Sequence, residues 1–146
     1  MNRTKTAPRV LSILAALCLL LASLTACSGG VTREEAKTAM DSLLSALDNE
    51  NYAEAAALYH PDAAMSEDLL AAFAEQVKTK VGIDLTEGAT VEKYTNMRSA
   101  YYHSNVDGSF YALTARIKAG DKTADLTVEV VRNDRGYGIF KVECNP

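Results

Sequence analysis

The chain has no tryptophan, two histidines and three cysteines, and each scarcity removes a class of site. His60 and His103 stand roughly 40 residues apart, and with Cys144 they do not form the closely spaced ligand set that zinc needs. No Gly-x-Ser-x-Gly elbow exposes a nucleophile, and no glycine-rich loop is there to cradle phosphate. The residues therefore point to no catalytic set, no metal and no cofactor. Basic residues are scarce too, 15 against 19 acidic ones, and Arg3, Lys5 and Arg9 lie at the very start. From residue 27 onward the balance is 12 against 19, a formal charge of −7. A nucleic acid is excluded as a partner, because phosphate binding requires a basic patch. Repeats of about 20–50 residues are absent as well. Asn51 to Tyr59 has the look of a tetratricopeptide helix, but the pattern occurs once and strands follow it.

What is present begins with a basic stretch, Met1 to Arg9, then an unbroken apolar run from Val10 to Leu24, then small residues. That order is the layout of a secretory signal. The run holds 15 residues, short of the ~20 that a helix needs to span a bilayer, so a retained membrane helix is the weaker reading. It ends in Leu24-Thr25-Ala26-Cys27, which resembles the bacterial lipobox. The resemblance implies a diacylglyceryl group on the Cys27 thiol, cleavage between Ala26 and Cys27, and a lipoprotein held outside the cytoplasm on a bacterial membrane, cell or outer. The alternative is an ordinary signal followed by a structural cysteine; the position at the end of the apolar run favours the lipobox. Two or more acyl chains anchor stably where one does not. On this reading Cys18 leaves with the signal, Cys27 carries lipid, and Cys144 has no disulfide partner, so the fold rests on its apolar core. Lys141 near Cys144 is offset by Glu143, which favours a packed thiol over a reactive one.

The expected organisation is a signal peptide over 1–26, a lipidated cysteine and short tether over 27–31, and one α+β domain over 32–146. Thr32-Arg33-Glu34-Glu35 is a capping box. It opens a helix over 33–48 with Ala36, Met40, Leu43, Leu44 and Leu47 on one stripe. Asn51 caps a shorter helix over 52–59, and Pro61 ends it with His60 at its carboxyl end, where a cation suits the dipole. Ser66 caps a third helix with the stripe Leu70, Phe73, Val77 and Val81, stopped by Gly82. From Thr90 the patterning has period two. Val91 to His103 alternates irregularly, which predicts a bulge. Asn105-Val106-Asp107-Gly108, Gly120-Asp121 and Asn133 to Gly136 read as turns. Between and after these turns, strands place Leu113, Ile117, Leu126, Val128 and Val130 on a buried face and Asp125 and Glu129 on the other. Short turns predict an antiparallel meander, and helices followed by such a sheet predict the α+β class, with helices on one face of a curved sheet of about four strands.

Asn51-Tyr52 with Ala55, Leu58, Tyr59 and His60-Pro61, then Val128 to Arg132 leading through Gly136 into Tyr137 to Val142, resemble nuclear transport factor two-like domains of bacterial lipoproteins. Many such domains have tryptophan where this chain has Tyr137. The resemblance implies a cone in which helices close the concave face of the sheet, leaving a pocket or a docking surface. Relatives that act as isomerases pair a carboxylate base with an oxyanion-stabilising group in an apolar pocket; this chain has no local signature that carries those residues over. Tyr101, His103 and Tyr111 are the candidate pocket-lining residues, with packing the simpler role for the tyrosines. The expected function is a membrane-anchored lipoprotein whose non-enzymatic domain binds an envelope protein or an apolar small molecule. The alternative is an enzyme or carrier using the cone's pocket. An interior filled by side chains would favour the first, an acid meeting a tyrosine in an open cavity the second.

Overall fold

The computed structural model describes residues 29–103 and 106–146, excepting the side chains of 101–103 and 106. The expected signal, its cleavage site at Ala26 and the lipid-bearing Cys27 lie outside the described residues. Helix α1 spans Arg33–Asp48, α2 Tyr52–Ala57 and α3 Glu67–Lys80; a short 3-10 turn covers Pro61–Ala63. Strands β1 (Thr90–His103), β2 (Val106–Ala119), β3 (Lys122–Asn133) and β4 (Gly136–Asn145) follow. They pair in chain order as an antiparallel sheet, so the expected α+β meander is what the chain forms.

The helix starts follow local chemistry. Thr32 and Glu35 form the reciprocal capping box, Asn51 accepts the Glu54 N–H and Ser66 accepts the Leu69 N–H. The end of α1 is a Schellman motif, with Glu50 at φ 51° donating to Leu47 and Asn51 donating to Ala46. Gly82, at φ 81°, donates to the Val77 carbonyl and turns the chain out of α3.

Helix α1 lies mainly on β2 and β3. Met40, Leu43 and Leu47 meet Leu113, Ile117, Leu126 and Val128, all fully buried. The charged partners alternate onto the far face, where Arg116 and Asp125 stand opposite each other and are joined by two hydrogen bonds, 2.5 and 3.0 Å.

Three observations refine the sequence expectations. The irregularity of β1 is resolved as three register shifts, at Val91/Lys93, Tyr94/Asn96 and Ala100/Tyr102; such shifts bend a strand and interrupt its free edge. Val106 and Asp107, expected in a turn over 105–108, are already paired, with His103 opposite Val106 and Tyr102 opposite Asp107. Gly108 belongs to β2: at φ 136° it lies so close to the Arg132 carbonyl that a Cβ would collide with it. Helix α2 ends at Ala57, two residues early, because Leu58, Tyr59 and His60 run beside β4 instead. There Ile139 donates to Leu58 at 2.9 Å and His60 donates to Ile139 at 2.9 Å.

Candidate functional site

Two regions have the makings of a site: a groove between α1 and β1, and the end of the domain where the chain enters. The groove measures about 300 Å³ and is lined by Asp41, Leu44, Ser45 and Asp48 from α1 and by Gly88 to Val91. The i, i+3, i+4 and i+7 spacing of the α1 residues puts them on one helix flank. The Asp48 carboxylate accepts the Gly88 N–H at 2.6 Å, which fixes the loop that forms the far wall. Farther along the same face of the sheet the helices cover β1 only in part. Met97, opposite Leu113, is 41% exposed, and Tyr94 lies 5.1 Å below the Lys37 ammonium. Burial, with Asp41 and Glu34 nearby, pushes the Tyr94 phenol up.

The interior between helices and sheet is filled by Met40, Leu43, Leu47, Leu70, Ile83 and Leu85 against the strands. Among the described residues the phenol deep in it is Tyr59, whose hydroxyl has no partner among them and which burial holds neutral. Carboxyls with displaced titration lie elsewhere. Asp84 is held at about 2 by hydrogen bonds from Lys78 and Thr86. Asp125 is lowered by Arg116. Partial burial opposes ionisation of Glu35, but bonds from Arg132 and Thr32 outweigh it and lower that carboxyl. None of the three lines the groove.

Tyr111 stands on the inner face between Ser99 and Val130 and packs against the core, at the opposite end of the sheet from the groove. The side chains of Tyr101 and His103 lie outside the described residues. Glu92 is exposed, and Asp84 is tied to Lys78 at 2.6 Å; neither turns inward. Cys144 is half-buried, and burial followed by the Asp125 charge raises its thiol to about 11, so it is a packed, weakly nucleophilic cysteine.

His60 has a different place from the one its sequence context suggested. Its ring is buried, and Nδ1 accepts the Asp62 N–H at 3.1 Å. Nε2 donates to Asn133 Oδ1 at 2.9 Å, since an amide oxygen only accepts. His60 thus caps the start of the 3-10 turn and does not stand at the carboxyl end of a helix. Asn133 Oδ1 also accepts the Arg135 and Gly136 amides, while its Nδ2 donates to Asp107. One asparagine thereby joins the β3–β4 turn, the start of β2 and the helical segment.

The second region is next to it. Val31 is buried and donates its N–H to the Ser109 hydroxyl at 2.6 Å. Arg132 pairs with Glu35 at 2.6 Å, reaches the Gly29 and Gly30 carbonyls at 3.4 Å, and stacks over Tyr137 at 4.8 Å. Tyr137 in turn donates to the Glu35 carbonyl and is 41% exposed. Sequence reading missed this cluster, since its members are about 100 residues apart in the chain. The far face of the sheet also holds a small apolar cluster, Phe110 and Val131 with Ala112 and Phe140, under the Arg98 guanidinium. The adjacent pairs Val130-Val131 and Ile139-Phe140 are its sequence signal, because neighbours on a strand point to opposite faces.

Comparison with family models, with curated proteins and with solved structures finds no match to this chain.

Proposed function

We propose that the chain is a lipoprotein anchored outside the cytoplasm through Cys27, whose domain binds a partner protein or small ligand beside the membrane without catalysing a reaction. The observation that carries the anchor is Leu24-Thr25-Ala26-Cys27 at the end of the apolar run. Binding at the surface, not in an interior pocket, is supported by the packing: the space between α1 and the sheet is occupied by leucine, isoleucine and methionine. The α1–β1 groove, lined by Leu44 and Val91 together with Asp41 and Asp48, offers a partner both apolar and acidic contacts. A relationship to nuclear transport factor two-like domains is part of the proposal, supported by the order of helices before an antiparallel meander.

The anchor is tested by detergent-phase partition of cells producing the chain or its Cys27→Ser variant. Wild type should enter the detergent phase, and the variant should stay uncleaved and unlipidated, because the peptidase acts on the lipidated thiol. Equal aqueous partition of both would sink the reading. Native mass spectrometry of the mature protein taken from its own membrane then asks what it holds.

A further inference from the structure

We propose that the entry of the chain is a fixed mount and that the end of the domain carrying Arg132 and Tyr137 rests on the bilayer surface. This rests on the lipid-anchor reading. At most about 7 Å of extended chain separates the Cα atoms of Cys27 and Gly29. Gly29 is not the start of a loose linker. Its carbonyl and that of Gly30 face Arg132, and two residues on Val31 is buried and bonded to Ser109. Arg132 is itself held by Glu35 in the first turn of α1, and Tyr137 is held by the same residue's carbonyl. An acylated Cys27 therefore cannot let the domain tumble freely, and it brings one end to the headgroups.

That end presents a half-exposed tyrosine capped by a guanidinium. Aromatic rings with a polar tip favour the membrane–water interface, while the Arg132 guanidinium, bonded to Glu35 and to the Gly29 and Gly30 carbonyls, holds the mount itself. The other end follows from the pairing. Ser109 lies opposite Arg132 at the mount, whereas Ala119 and Lys122 flank the Gly120-Asp121 turn at the far end of the same strands. Ten residues of β2 separate Ser109 from Ala119, about 33 Å of strand. Thr90 pairs with Lys118 near the distal turn, so the α1–β1 groove is held away from the bilayer, open to a partner in the envelope.

The absence of tryptophan makes the test direct. Tyr137→Trp and Asp121→Trp are introduced singly into the full chain, purified from membranes and returned to phosphatidylcholine vesicles carrying a quencher just below the headgroups. Trp fluorescence at 137 should be quenched several-fold more strongly than at 121. Equal quenching in vesicle-bound protein overturns the orientation while leaving the anchor intact; protein that does not bind vesicles overturns the anchor reading and the orientation together. Adding Ser109→Ala and Arg132→Gln, with the fold checked by circular dichroism, should bring the two positions towards equality. An undiminished difference would show that these bonds are not the mount.

Discussion

Gly138 illustrates how a single residue joins the helical layer to the sheet. A Cβ there would lie 2.5 Å from the His60 nitrogen, 2.6 Å from the Tyr59 carbonyl carbon and 2.8 Å from the Leu58 oxygen. All three atoms are backbone, so no side chain can swing aside. Gly138→Ala should part Leu58–His60 from β4 and cost about 1–3 kcal/mol, the range for forced overpacking. Gly29→Ala, with nothing within 4 Å of the added carbon, should change stability little. Equal urea midpoints for the two variants would mean that the segment does not lie against β4. The caps Thr32, Asn51 and Ser66 were legible in the sequence because each bond closes within three residues. The reason for glycine at 138 and the role of His60 were not, because their partners are about 70 residues away.

At the scale of elements, α1 is the main lid of the sheet. Leu43 is fully buried and Leu44 nearly so, whereas Leu69 on α3 is 55% exposed. Truncating Leu43 or Leu44 to alanine should cost about 2–5 kcal/mol in lost transfer energy and cavity formation. That is a large share of the ~5–15 kcal/mol available to a domain, and Leu69→Ala should stay within about 0.5 kcal/mol. Denaturant unfolding of the three variants checks the order; a Leu43 variant as stable as the Leu69 one would remove α1 from the core. The stripe of α1 and the alternation of β2 and β3 were readable because each element buries one face only. In β1 the three register shifts rotate the pattern, so irregularity was foreseeable there but not which residues pair.

For the whole molecule, acid is the revealing perturbation. Asp84, Asp125 and Glu35 all ionise more readily in the folded chain than their ordinary values allow. A carboxyl lowered by folding adds stability that is complete above its ordinary value and is lost as the pH falls towards the folded one. For Asp84 that window runs from 3.8 down to about 2. Stability should therefore decline on acidification, and Asp84→Asn should be less stable near neutral pH with a shallower decline across that window. Urea midpoints taken down the pH scale test this, and parallel curves for the two proteins would show that the Lys78–Asp84–Thr86 cluster contributes nothing. Because Lys78 is the positive group bonded to Asp84 among the described residues, the effect should vanish in a Lys78→Met background apart from what Thr86 supplies.

The sequence by itself determined the class of fold, the helix starts, the order of strands and which face of β2 and β3 turns inward. These follow from interactions within a few residues and from periodicities of 3.6 and 2, both of which are local properties of the chain. It also supplied the whole case for a lipid anchor, which is a matter of linear order. Tertiary structure alone decided that Leu58–His60 runs beside β4, that the far face of the sheet has its own small apolar cluster, that a groove opens between α1 and β1, and that Arg132 holds the entry of the chain. The physical reason is common to all four. Each depends on groups distant along the chain meeting at fixed distance, and that meeting is set by how a twisted, bulged sheet curves under its helices, which no local pattern encodes.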